Sequence, residues 1–209
     1  EVALLAHLGM TGSWRLESIH EQRRKHDHVE FFLDHYEVLR YNDPRRFGFI
    51  EEIQLPNNQA DPQELQNMAP EPLSDKFDIR WLSNACKNKS KPIKNLIMDN
   101  AYVVGVGNIY ASEALFRSGI RPTIPAGNIS RVRLKKLLPA IKDVLSEAIE
   151  AGGTTIINYT SLNSQEGYFA RELNVYDRFG ELCSKCQRGQ IQRTVMAGRS
   201  TYFCAVCQR

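Results

Sequence analysis

The chain has 209 residues, 42% hydrophobic and 24% charged, enough for one large domain or two small ones with real cores. No apolar run is long enough to cross a membrane and no secretory signal opens the chain, which argues against a membrane protein and against an exported disulfide scaffold. The net charge of +3 argues only weakly for nucleic acid; the basic blocks Arg23-Arg24-Lys25, Arg45-Arg46, Lys87 to Lys94 and Arg131 to Lys136 say more, although the last reads as a solvated helix face.

The opening residues, Glu1-Val-Ala-Leu-Leu-Ala-His-Leu-Gly9, start inside an apolar strand-like run. A strand needs neighbours, so this start predicts a further segment upstream. Residues 1–55 read as β, with short runs at Val2 to Leu8, Ser13 to Leu16, Val29 to Leu33, Glu37 to Tyr41 and Phe47 to Ile53. Turns at Gly9-Met-Thr-Gly12, Asp34-His-Tyr36 and Asn42-Asp-Pro44 separate them. The prolines at 56, 62, 70 and 72 mark residues 56–74 as a linker, with one helical turn expected at Gln63 to Asn67.

From Asp75 the apolar period becomes helical, over Phe77 to Cys86, Pro92 to Asp99, Asn108 to Ser118 and Ser130 to Ala151. Pro92 suits a first helical turn, Ser130 can cap the last helix and Gly152-Gly153 ends it. Thr154 to Phe169 is polar and glycine-punctuated and reads as a loop. The expected fold is α+β: a partial β-sandwich over 1–55, a helical domain over 75–170 and a zinc-pinned hairpin module over 171–209.

That module carries the most specific signal. Cys183-Ser-Lys-Cys186 and Cys204-Ala-Val-Cys207 are two C-x-x-C pairs, each able to supply two thiolates from one tight turn to one structural zinc. Two disulfides are the alternative, disfavoured because nothing else suggests secretion. Between the pairs, two strands flank Ala197-Gly198-Arg199, which puts an arginine at the hairpin tip, suited to a phosphate-rich groove.

Three further motifs point the same way. In Ala101 to Tyr110, two tight turns around Gly105-Val-Gly107 lead into a helix start, where Asn108 would cap and donate, and backbone N–H groups could meet a phosphate. The plain alternative is a helical corner packed by Val103, Val104 and Val106; Lys89, Lys91 and Lys94 tip the balance to phosphate. Asp43-Pro-Arg-Arg-Phe-Gly48 displays guanidiniums beside an aromatic, which could wedge into a base stack. Gly9-Met-Thr-Gly12 is a second such turn, with Met10 at its tip. In Lys25-His-Asp-His28 alternate histidines would share a strand face, a poor metal site alone. We read His26 as a phosphate donor near Arg45. The lysines of the helical domain are expected to be solvated, with pKa values of about 10.

His7-Leu-Gly-Met-Thr-Gly12, Lys25-His-Asp-His28, Asp43-Pro-Arg-Arg-Phe-Gly48, Gly105-Val-Gly-Asn-Ile-Tyr-Ala-Ser-Glu113, Gly152-Gly-Thr-Thr155, Gly167-Tyr-Phe169 and the four cysteines fall in order along the chain. Together they resemble bacterial formamidopyrimidine-DNA glycosylase over essentially the whole chain. The related endonuclease VIII group lacks the Asp-Pro-Arg-Arg-Phe-Gly turn. The resemblance implies a β-sandwich domain and a helix–two-turn–helix domain with a zinc finger, gripping kinked double-stranded DNA that carries a damaged base or abasic site. It implies a monomeric, cytoplasmic, nucleoid-associated enzyme that excises 8-oxoguanine and formamidopyrimidines and cleaves the abasic site by β,δ-elimination. Met10, Arg45 and Phe47 would fill the gap left by the flipped base, with Arg45 facing the orphaned cytosine. His7, His26, Lys89, Asn108 and Arg199 would hold phosphates, and Arg199 would also assist the second cleavage step. Flipping costs a few kcal/mol of unstacking, which these contacts offset.

Two departures stand out. The family's nucleophile is an N-terminal proline followed by glutamate, with a lysine farther along an early strand, and none of these is among the 209 residues. Where the lesion loop usually carries a basic residue, Ile156-Ile157-Asn158 stands. A non-catalytic, zinc-dependent DNA-binding module is therefore the rival reading.

Overall fold

The computed structural model describes residues 2–55, 62, 65–66, 68–152 and 173–209. The chain divides into two compact units: Glu1–Gln66 with Ala148–Arg171, and Asn67–Glu147 with Glu172–Arg209.

The first unit holds two antiparallel sheets. Strands β1 (Val2–His7) and β5 (Phe49–Gln54) form one; β2 (Ser13–Ser18), β4 (Glu37–Asn42) and β3 (Asp27–Phe32) form the other, in that spatial order. β5 begins two residues later than its composition suggests. Arg46 takes a left-handed φ of 55°, which breaks the extended run and leaves Phe47 on the turn. One face of the three-stranded sheet is apolar, with Trp14 packed on Phe31 and Tyr41 at centroid separations of 5.8 and 5.0 Å. The other face buries charge. Arg15 pairs with Glu17 and Asp27, and Arg40 with Glu17 and Glu30. Arg40 also donates to the carbonyls of Glu21 and Gln22, which fastens the loop between β2 and β3. Arg23 and Arg24 are drawn into the same network through Glu30 and Glu17, so this basic block is largely self-neutralised.

The second unit is built on α1 (Ile79–Cys86), α2 (Ile93–Ile97), α3 (Asn108–Ser118) and most of α4 (Arg131–Glu150), followed by the hairpin β6 (Ile191–Met196) and β7 (Arg199–Cys204). Asp78 caps α1, accepting from the N–H groups of Arg80 and Trp81 at 2.9 and 2.8 Å. Leu82, Ile93, Leu96, Ile97, Leu115, Ile120, Leu137 and Ile141 are fully or nearly fully buried, each contributing about 1.5–3 kcal/mol of transfer free energy. α3 closes on Gly119 in the left-handed conformation, with Ile120 N–H returning to the Leu115 carbonyl at 2.9 Å. A smaller core joins α3 to the hairpin module: Phe116 packs with Val175, Cys183, Ile191, Tyr202 and Cys204.

Pro92 stands at the N-cap of α2, and the Ser130 carbonyl receives the N–H groups of Arg133 and Leu134. Leu65 closes a turn on Pro62, but Gln63, Glu64 and Asn67 of the expected turn lie outside the described residues, as does the expected loop over 154–169.

Candidate nucleic-acid interface and metal centre

In the first unit, two turns meet. Gly9-Met10-Thr11-Gly12 joins β1 to β2, and Asp43 to Gly48 joins β4 to β5. Met10 and Phe47 are each 58% exposed, so both apolar tips face solvent rather than the core. The Arg45 guanidinium lies 4.6 Å from the centre of the Phe47 ring, and its Nη1 reaches Met10 Sδ at 3.4 Å. The three side chains expected to form a wedge are therefore in contact. Gly48 is required by space: a Cβ there would come within 1.8 Å of the Tyr41 hydroxyl.

His7 is exposed at the end of β1, stacks on Phe49 at 5.6 Å and accepts the Gly9 N–H on Nδ1 at 3.0 Å. His26 is half-buried with a left-handed φ of 74°, and the register of β3 against β4 is irregular between Asp27 and Val29. The histidines at 26 and 28 thus do not follow plain strand alternation; His26 precedes β3, and the two rings lie 6.2 Å apart. His28 instead sets Nε2 against the Asp43 carbonyl at 3.0 Å.

In the second unit, the valines of the two-turn corner pack inward, as the plain alternative to a phosphate site has them. Val103, Val104 and Val106 are buried, Gly105 has φ 73° and α3 starts at Asn108. The cap itself differs from expectation. Gly107 occupies the N-cap with no side-chain bond, while the Asn108 amide donates to the Ser200 carbonyl at 2.9 Å and to the Tyr176 hydroxyl at 3.4 Å. The amide oxygen, the atom a cap would offer to the helix N–H groups, instead accepts from the Lys94 ammonium.

Lys94 overturns another expectation. It is 1% exposed, and its ammonium donates to Asn108 Oδ1, to Thr201 Oγ1 at 2.6 Å and to the Ser200 carbonyl at 3.4 Å. Burial, with the nearby Arg199 charge, pushes its pKa down to about 8. Lys91 pairs with Asp99 at 2.7 Å, and both Lys89 and Lys91 lie over the Tyr102 ring. Among the described residues, Lys89 alone of the three lysines has neither an ion pair nor deep burial.

The hairpin turns on Ala197 and Gly198, with φ of 45° and 73°, the left-handed pair that a two-residue turn needs. Arg199, opposite Met196, therefore stands exposed at the tip. Nothing in the spacing pointed to Glu113. It is fully buried on α3, and its carboxylate accepts the backbone N–H groups of Asn174, Val175 and Tyr176 at 2.9 to 3.0 Å and the Asn174 amide at 3.2 Å. The available signal was a carboxylate flanked by Ala111, Ala114, Leu115 and Phe116 on a helix whose inner face is apolar.

The four thiols of Cys183, Cys186, Cys204 and Cys207 lie within 4.8 Å of one another and could hold a metal ion. Cys183 Sγ and Cys207 Sγ are 3.8 Å apart, as are those of Cys186 and Cys204. A disulfide would need about 2.05 Å, whereas four sulfurs about 2.3 Å from one ion sit about 3.8 Å apart on a tetrahedron's edge. The N–H groups of Arg188 and Gly189 point at Cys186 and bring its pKa down to about 6, while burial pushes Cys207 up to about 12. Such a set ionises fully only around a cation, so the residues fit a metal.

Comparison with known proteins accords with this geometry. Residues 1–50 match the formamidopyrimidine-DNA glycosylase N-terminal domain, and residues 68–160 match the formamidopyrimidine-DNA glycosylase H2TH domain. The formamidopyrimidine-DNA glycosylase of Alteromonas mediterranea is 48% identical over 206 residues, 99% of this chain and 75% of that protein. That of Alcanivorax borkumensis is also 48% identical, over 207 residues, with the same shares. Among solved structures, the MutM (Fpg) protein of Thermus thermophilus superposes with a TM-score of 0.87 at 38% identity, covering 99% of this chain and 76% of its own. The Lactococcus lactis Fpg in complex with abasic-site DNA superposes with a TM-score of 0.86 at 32% identity, covering 100% of this chain and 75% of its own. With both domain models matched and the wedge turns, helical corner and thiol cluster all in place, the chain belongs to the formamidopyrimidine-DNA glycosylase family.

Proposed function

We propose that this chain serves base-excision repair of oxidised purines, 8-oxoguanine and formamidopyrimidines, with cleavage of the resulting abasic site by β,δ-elimination. The observation that carries the reading is the contact of Met10, Arg45 and Phe47 at two solvent-facing turn tips. Apolar tips held out in water next to a guanidinium are costly for a plain surface hairpin and useful for filling an unstacked gap in a duplex.

In this reading His7, His26, Lys89, Asn108 and Arg199 contact phosphates of a double-stranded substrate, and the protein acts as a monomer. Lys94 does not reach DNA; it holds Asn108 against the hairpin. The four cysteines hold one structural zinc, which fixes the hairpin that presents Arg199. Arg199, exposed and cationic, donates the proton of the second elimination. Schiff-base chemistry needs an unprotonated amine at the sugar, a role the family resemblance gives to a proline that is not among these 209 residues.

The test is binding to a duplex with an abasic site opposite cytosine, against the same duplex undamaged, from 50 to 200 mM salt. The reading expects preference for the abasic duplex and a steep fall with salt. Equal affinity for both, or no salt dependence, overturns it. Borohydride trapping on the same duplex then reports whether an amine within the 209 residues takes the nucleophile's role.

A further inference from the structure

The contact between the two turn tips is set from behind by one carboxylate. Asp43 is 1% exposed. Its Oδ1 accepts the Thr11 hydroxyl at 2.5 Å and the Arg45 N–H at 3.3 Å; its Oδ2 accepts the Gly48 N–H at 2.9 Å and the Tyr41 hydroxyl at 3.3 Å. The Arg45 N–H also reaches Thr11 Oγ1 at 3.2 Å. Asp43 and Gly48 thus close their own turn, while Thr11 ties the neighbouring turn to it. Behind this, Asp43 N–H donates to the His26 carbonyl at 3.1 Å, and its own carbonyl meets His28 Nε2.

The backbones of the two turns touch as well. Gly9 has φ +61°, and a Cβ there would sit 2.7 Å from the Phe47 carbonyl carbon and 2.8 Å from Gly48 N. The tips themselves bury little surface, so packing does little to fix Met10 relative to Arg45 and Phe47. Their relative placement rests on the hydrogen bonds beneath them. Four donors converge on a carboxylate that solvent barely reaches, so Asp43 itself has no face left for DNA.

We propose that Asp43 and Thr11 form a latch that sets the spacing of the Met10 and Arg45–Phe47 tips, which makes both positioning residues for insertion into the duplex. The proposal rests on the DNA-binding reading above. A tip displaced by an ångström still meets DNA but no longer fills the gap opposite an abasic site. The latch therefore governs the preference for a damaged duplex, while general affinity follows the phosphate contacts.

The test uses Asp43→Asn, Thr11→Val and Thr11→Ser in the full chain, each read in two ways. Without DNA, the methyl resonance of Met10 among the four methionines reports the tip contact. It should shift and broaden in Asp43→Asn and Thr11→Val and return to its place in Thr11→Ser, while those of Met68, Met98 and Met196 stay fixed. With DNA, 2-aminopurine beside an abasic site reports insertion. The ratio of abasic to undamaged affinity should fall about tenfold in Asp43→Asn and Thr11→Val and recover in Thr11→Ser. A Met10 resonance unmoved in both disrupting variants overturns the latch, whatever the DNA results. A moved resonance with unchanged insertion and ratio overturns its role in the duplex. If the unaltered chain does not bind an abasic duplex, the underlying reading fails, and the role in the duplex falls with it. Should Asp43→Asn not fold, the Thr11 pair decides alone.

Discussion

Lys94 and Thr201 stand 107 positions apart in the chain, yet the ammonium of one donates to the hydroxyl of the other at 2.6 Å. Through this bond and its partner on Asn108, the helical corner and the hairpin share one buried polar network. Asn108 and Arg199, expected to serve the same substrate phosphates, are thereby held by a common scaffold.

The Lys94 amine should titrate near pH 8, with Arg199→Ala raising that value, since removing a like charge favours the protonated form. Carbon-13 shifts of the lysine ε-methylene groups would show it. Because the folded value lies below the ordinary 10.5, the unfolded chain binds more protons between about pH 8 and 10.5. Stability relative to Lys94→Met should therefore rise with pH across that window, the reverse of a surface lysine in an ion pair. A titration midpoint near 10.5 would contradict the buried placement.

Metal analysis should give one zinc per chain, and chelation should abolish amide protection in residues 173–209 while leaving β2, β3 and β4 protected. Structural zinc in small modules contributes on the order of 10 kcal/mol of apparent binding free energy, so Cys204→Ser should leave this module largely unfolded. A chain without metal that keeps its hairpin protection would refute the assignment.

Arg199→Ala should weaken binding to any duplex and reduce the salt slope by about one. Asn108→Ala should weaken it too, but with a second signature: loss of the bond to the Ser200 carbonyl should raise exchange at the hairpin amides even without DNA. A salt slope unchanged in Arg199→Ala would remove that side chain from the phosphate contacts.

Arg45→Ala should act on the base opposite the lesion. Discrimination of cytosine from other bases should fall by about 1–3 kcal/mol, with the salt slope nearly unchanged, because in the proposed reading this cation faces a base edge rather than a phosphate. The readout is affinity for abasic duplexes carrying each of the four opposite bases.

What could be read directly from the residues is what depends on local spacing. The two C-x-x-C pairs, the left-handed turn beneath Arg199, the valines of the helical corner and the starts of β1, β2 and β4 follow from short-range rules. What could not be read depends on which residues the fold brings together over long distances. Lys94 sits in a run of lysines and looks like surface, yet it is buried, and two of its ammonium's partners, Ser200 and Thr201, lie far along the chain. Asn108 has the right type for a cap, but it stands one residue inside the helix and its Oδ1 is taken by the Lys94 ammonium. Arg23 and Arg24 look free until β2 and β3 place Glu17 and Glu30 beside them. Asp43 and Thr11 lie 32 positions apart, too far for any turn rule to link them.

The Glu113 carboxylate bears on how a mutational survey of this protein should be interpreted. Its four N–H donors come from the stretch that carries Tyr176, and Tyr176 touches both Asn108 and Tyr202. An alanine at 113 would set that stretch loose and leave the amide of Asn108 less firmly aimed. In a screen scored by substrate affinity, such a variant would rank beside true contact residues, although its side chain is sealed from solvent. Ranking by affinity alone would enlarge the apparent footprint inward, and a paired measure of amide exchange separates supports from contacts.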